Sequence, residues 1–203
     1  AEMGAQVGLI APDETTRAWL AERGVDAGDL SDWCTDPGAT TVDHVFDAAS
    51  LSPQVAAPHS PANTRAVEAF ADVAVQIAYI GACTGAKLDD LRAAAQVLRG
   101  HTVASNLRLM VAPASQHDQE QAEQEGVMGV LRDAGAEVLP TACGACSGYG
   151  GSIPDGANVI ATTARNFKGR MGSATAQVYL ASPYTVAASA LRGRISDPRE
   201  MLQ

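Results

Sequence analysis

The sequence predicts an α/β protein: a doubly wound, mostly parallel sheet with crossover helices, preceded by a small α/β segment. Three observations lead there. From about residue 62 onward, short apolar runs alternate with stretches of helical periodicity. Glycine or proline punctuates most of the transitions. The chain has 203 residues, 46% hydrophobic and 18% charged, which is enough to bury one good core and a smaller appendage.

Residues 1–50 read as the remnant of a preceding α/β domain, and 51–203 as the main domain. Ala1-Glu2-Met3 does not read as a natural start, and Met3 runs straight into Gly4-Ala5-Gln6-Val7-Gly8, which reads as the middle of a packed element, so the sequence reads as part of something larger. A helix is predicted over Asp13 to Arg23, with Gly24 able to close it in the left-handed conformation. Pro37-Gly38 marks a turn, and Val42 to Phe46 alternates in the manner of a strand. Prolines at 53, 58 and 61 punctuate the boundary. Strands are then predicted over Val73–Ile80, Leu107–Ala112, Glu137–Leu139, Asn158–Thr162 and Gln177–Leu180. Leu88, Leu91, Ala95 and Leu98 give one helical stripe that stops at Gly100. A second helix is predicted over Asp118 to Asp133, ended by Gly135, and a third begins at Ser182-Pro183 and ends at Gly193.

Charge narrows the function. Fourteen Lys+Arg against 23 Asp+Glu leave a net charge of −9, which repels phosphate backbones and anionic lipid. No apolar run approaches the roughly 18 residues of a membrane span, and no signal-peptide layout opens the sequence, so a cytoplasmic location is expected. Four cysteines are too few for a disulfide scaffold. Cys34 and Cys83 stand alone, whereas Cys143 and Cys146 form a C-x-x-C, a pattern of metal or thiol chemistry.

In an open parallel sheet, ligands gather beyond the carboxyl ends of the strands. Three unusual loops leave that edge: Gly81-Ala82-Cys83-Thr84-Gly85, Thr141-Ala142-Cys143-Gly144-Ala145-Cys146-Ser147-Gly148, and Ala164-Arg165-Asn166-Phe167-Lys168-Gly169-Arg170. Three thiols from two loops suit a metal or an iron–sulfur cluster, because thiolates are soft ligands and glycines let the backbone approach. Arg165 and Arg170 offer forked donors for carboxylates. By itself a C-x-x-C serves zinc or thiol–disulfide exchange equally well, and the two arginines equally suit an ordinary surface. Cys34 reads as a free or buried thiol and His59 as structural.

These three loops together resemble the aconitase superfamily, and more closely the C-terminal part of the large subunit of 3-isopropylmalate dehydratase and homoaconitase. Glu2-Met3-Gly4-Ala5, Asp36-Pro37-Gly38-Ala39, Pro58-His59-Ser60-Pro61, Gln124-Glu125-Gly126 and Ser196-Asp197-Pro198-Arg199 extend the likeness over the chain. The resemblance implies an aconitase-like iron–sulfur domain with a [4Fe-4S] cluster on Cys83, Cys143 and Cys146, and Arg165 and Arg170 at substrate carboxylates. It implies a hydro-lyase or isomerase that dehydrates and rehydrates a small hydroxy di- or tricarboxylate.

The departures concern Ala82 and Gly85, where the family has serine and asparagine, Ala164, where it has asparagine, and Gln6, where it has glutamate. A neutral amide cannot act as a carboxylate base. The base is therefore expected from another chain, and the implied partners are a complementary large-subunit segment and a small swivelling subunit. The competing readings are a non-catalytic assembly subunit that keeps the fold, a zinc or redox thiol-site protein, and RNA binding after cluster loss, which the acidic balance opposes.

Overall fold

The computed structural model describes residues 6–149 and 153–202. The chain divides into two compact units, Ala1–Ala49 and Ser50–Gln203; of the packed element expected over residues 4–8, Gly4 and Ala5 lie outside the described residues, and Gln6, Val7 and Gly8 are exposed and in neither helix nor strand, because no neighbouring segment packs on them.

In the leading unit, α1 (Glu14–Ala21) forms where the sequence predicts a helix. Asp13 caps it: its carboxylate accepts from the Thr16 amide at 2.9 Å. Gly24 follows at φ +71°. The predicted strand over Val42–Phe46 is absent, so the described part of this unit is helix and coil rather than α/β. Alternation alone makes no strand, because a strand needs a neighbour to take its backbone N–H and C=O groups, and none pairs here.

The main unit carries a seven-stranded sheet: β1 (Gln54–Ala56), β2 (Thr64–Ala66), β3 (Ile77–Gly81), β4 (Arg108–Ala112), β5 (Glu137–Val138), β6 (Asn158–Ala161) and β7 (Gln177–Leu180), in the order β2-β1-β7-β6-β3-β4-β5. The five strands β3 to β7 run parallel, with Tyr79 level with Met110 on one side and Ala161 on the other. The antiparallel hairpin β1–β2 extends the β7 edge. It escaped sequence reading because each strand has three residues among prolines. Conversely β3 starts later than expected: at Val73–Gln76 the backbone makes an isolated bridge and loop bonds to Gly193 and Asn158 instead of a ladder.

α2 (Leu88–Leu98) and α5 (Pro183–Arg192) form as predicted, the latter with Ser182 as cap and Gly193 at φ +66°. The single helix predicted over Asp118–Asp133 is two, α3 (Gln116–Gln124) and α4 (Val127–Asp133). Gly126 at φ +74° breaks it, a conformation that ends a helix and costs glycine nothing.

The winding places the site. From β3 the chain steps one way to β4 and β5, through α2 and then α3–α4. It then returns across β3 to β6 and β7. Right-handed crossovers put the outward connections on one face and the returning ones on the other. The helices accordingly bury Leu91, Leu98, Met128, Leu131 and Val186 against Ile80, Leu109, Val111 and Ile160. Among the described residues the returning connections carry no α-helix: loops bring Ala145, Cys146, Ile153 and Met171 onto Tyr79, Met110, Val159 and Val178. The second layer of this doubly wound sheet is therefore made of loops, and strand order reverses between β3 and β6.

Candidate functional site

A crevice opens where neighbouring parallel strands send their connections to opposite faces, and here that point lies between β3 and β6. Thr162, at the end of β6, stitches it together. Its Oγ accepts from the Gly81 amide at 2.9 Å and donates to the Gly85 carbonyl at 2.7 Å. The loop after β3 is so close that a Cβ on Gly85 would stand 2.1 Å from the Thr162 carbonyl oxygen. Between these glycines Ala82 is buried at φ +66°, left-handed backbone that a side chain enters only under strain. The turn so held presents Cys83 at the surface.

Cys146 comes from the loop after β5. That loop runs back over β4 and turns in a short 3-10 segment, Gly144–Ser147, closed by Gly148 at φ +84°. A Cβ on Gly148 would meet the Gly172 backbone nitrogen at 2.9 Å, so the loops after β5 and β6 touch backbone to backbone. Cys146 is buried beside Tyr79 and Ala82, whereas Cys143 is exposed. Arg170, from the loop after β6, donates through Nη2 to Cys146 Sγ at 3.3 Å. Its Nε is buried without an acceptor, a polar group left unpaired inside the loop.

Burial above all, with the neighbouring Cys146 and Cys143 sulfurs adding to it, pushes the Tyr79 phenol up to about 12. The Tyr79 hydroxyl has no hydrogen-bond partner, so a polar group stands unpaired beneath the thiols. Asn166 anchors the arginine loop from below. Fully buried, it donates from Nδ2 to the Ala57 carbonyl at 2.8 Å and the Val178 carbonyl at 3.0 Å. An apolar hollow of ≈ 310 Å³ adjoins the Cys143 loop, lined by Ala112, Leu139, Pro140, Ala142, Ala145 and Tyr149.

The structure thus brings Arg170 onto Cys146 and sets Arg165 on the same loop, where its Nη1 donates to the Ala164 carbonyl at 3.1 Å. Cys83 enters the same edge two residues beyond β3. Among the described residues, no three Cys, His, Asp or Glu side chains stand close enough to share one metal ion. Cys34 and Gln6 are exposed in the leading unit. Tyr79, Thr162 and Asn166 went unrecognised in the sequence. The polar residues that follow the β6 run were the available signal for the last two; Tyr79 lies within an apolar run and gives none.

Among the described residues, no helix is long and apolar enough to cross a membrane. Comparison with known proteins supplies the relationship. The "3-isopropylmalate dehydratase large subunit 1" of Methanopyrus kandleri is 41% identical over 203 residues, which is 99% of this chain and 48% of that protein. The corresponding large subunit of Sulfurovum sp. is 43% identical over 208 residues, 98% of this chain and 49% of its own length. That of Oleidesulfovibrio alaskensis is 44% identical over 200 residues, 98% and 47% respectively. The chain spans about half the length of these curated relatives. The pattern of the aconitase family (aconitate hydratase) matches residues 63–193, the stretch that holds β3 to β7 and all three loops, and the chain belongs to that family.

Proposed function

We propose that this chain is the cluster-bearing component of a hydro-lyase that dehydrates and rehydrates a small hydroxy di- or tricarboxylate. The observation that carries the reading is the pairing of a buried thiol with an arginine fork, Cys146 with Arg170, at the crevice Cys83 also enters. The donor set fits a [4Fe-4S] cluster. All three candidates are soft sulfur ligands from two loops, and a cube takes each thiolate on a different iron, so its ligands need not crowd around one ion. Cys83, Cys143 and Cys146 would hold it. When bound, such a cluster supplies an iron with an open position that polarises a hydroxyl or carboxylate as a Lewis acid.

The chain's own residues do the rest of the binding. Arg170, positioned by its Nη2 bond to Cys146 Sγ, offers a permanent charge to a substrate carboxylate. Arg165, five residues earlier on that loop, supplies a second permanent charge. Asn166 holds the loop against the ends of β1 and β7, so the guanidinium groups need not be ordered when substrate arrives. The apolar hollow beside Cys143 suits an aliphatic arm on the substrate, which favours an isopropylmalate-type acid over one bearing a third carboxylate. Gln6 supplies no base, so proton transfer falls to a complementary large-subunit segment and a small swivelling subunit.

Anaerobic preparation should yield iron and acid-labile sulfide with broad absorption near ~400 nm. Hydration of an unsaturated dicarboxylate should require the complementary chains. Protein that carries zinc alone, or that turns over substrate unaided, contradicts this reading.

A further inference from the structure

Tyr79 lies on β3 between β6 and β4, and its side chain is fully buried on the face that the loops cover, in the same apolar cluster as Met110, Ala145 and Cys146. Its ring runs along the strand toward the carboxyl end. A Cβ on Gly81, the next residue on that face, would stand 2.2 Å from Tyr79 Cζ and 2.4 Å from the hydroxyl oxygen. Glycine at 81 therefore leaves the room that the hydroxyl occupies, two residues before Cys83. The Cys146 and Cys143 sulfurs lie near enough to act on the phenol electrostatically, and Cys146 also turns its backbone amide toward the oxygen, outside hydrogen-bond geometry. An amide is a donor and can only meet a lone pair. The phenolic hydrogen has no acceptor among the described residues.

Phenylalanine would fill the same space without burying a hydroxyl, and a buried hydroxyl with nothing to bond destabilises a fold. The acceptor that fits is the sulfur beside it. A thiol accepts weakly, whereas a thiolate on iron carries negative charge and accepts well. We propose that Tyr79 is a positioning residue whose hydroxyl donates to the Cys146 thiolate when the cluster is bound. This rests on the cluster reading given above and adds to it a residue that is not a ligand. Arg170 Nη2 already reaches the same sulfur at 3.3 Å, so Cys146 receives two donors from different segments, one from the strand and one from the loop after β6. Reduction adds negative charge that spreads onto the sulfurs, and hydrogen bonds to them favour the reduced state. Tyr79 thus raises the reduction potential of the cluster and helps to retain it.

The test reconstitutes the parent chain and Tyr79→Phe with ferrous iron and sulfide under anaerobic conditions. In the variant the one-electron couple of the cluster should fall by about tenfold in the ratio of reduced to oxidised protein at a fixed potential, which is about 59 mV. Loss of iron to a chelator should quicken by about tenfold. The cluster-free variant should unfold in urea at the parent's midpoint or above it, because it has lost a hydroxyl that had no acceptor. That opposite sign separates a bond made to the cluster from a role in the fold. A lower midpoint shows that something else, such as a buried water, already satisfied the hydroxyl, and it overturns the inference. A third measurement needs no substitution. Reduction of the loaded parent should move the infrared C–O stretch of one phenol, marked by ring-deuterated tyrosine and missing in Tyr79→Phe; a phenol silent to reduction overturns the inference. Parent protein that takes up no iron and sulfide overturns the cluster reading and this assignment together. Equal potentials in the two loaded proteins overturn the Tyr79 assignment alone.

Discussion

Gly85 occupies a position where any side chain collides with the Thr162 carbonyl, and Gly81 one where a Cβ would lie 2.2 Å from the Tyr79 ring. Glycine lets the turn that carries Cys83 lie against the end of β6. Gly85→Ala should therefore force the loop away from Thr162 and cost ~1–3 kcal/mol, read by urea unfolding of the cluster-free chain. A side chain as large as asparagine would need a more open loop at this position. Asn166 makes the opposite point, that a polar side chain can be required in the core. Asn166→Ala should leave the Ala57 and Val178 carbonyls without a donor and cost ~2–4 kcal/mol. Under the function proposed above, the variant reconstituted with the complementary chains should show a rise in KM larger than the fall in kcat, because the arginine loop loses its anchor.

At the scale of elements, the end of a helix is decided by one residue. Gly126 separates α3 from α4 with nothing within 4 Å of where its Cβ would be, so Gly126→Ala should cost only the left-handed backbone, ~1–2 kcal/mol by thermal or urea unfolding. A helical stripe tolerates that interruption, since Ala122 on α3 and Val127, Met128 and Leu131 on α4 reach the same core. Ser182 likewise accepts from the Thr185 amide at 3.3 Å at the start of α5, and Ser182→Ala should lower stability by ~1 kcal/mol. These stops and caps were visible in the sequence as Gly and Ser-Pro. The break at Gly126 was not, because apolar spacing continues across it.

Across the molecule, arginines pair with carboxylates at the surface: Arg108 with Glu137, Arg92 with Glu125, Arg132 with Glu123, and Arg199 with Asp197. Hydrogen bonds from these guanidinium groups hold the four carboxyls below their ordinary values. A carboxyl whose folded value is depressed stabilises the fold fully above its unfolded value and loses that contribution as pH falls through the folded one. Melting temperature should accordingly stay level from neutrality down to about pH 5 and decline below about pH 4, within the carboxylate range. Asp197→Asn combined with Glu137→Gln should flatten the decline. Each pair is solvent-screened, and its effect should shrink in salt.

The sequence by itself determined the parallel α/β sheet, most helix ends, the three loops at one sheet edge and the thiol and guanidinium candidates within them. Those features follow from apolar periodicity, glycine and serine signals and residue chemistry, which are local along the chain. Only the tertiary structure decided which connections cross which face, that β3 and β6 flank the crevice, that Arg170 reaches the Cys146 sulfur, and that Asn166 and Thr162 fasten the loops. It also decided that Val42–Phe46 remains outside any sheet. These are contacts between residues 81 and 109 positions apart, created when winding and close packing choose neighbours, and no local pattern encodes a neighbour that has yet to arrive.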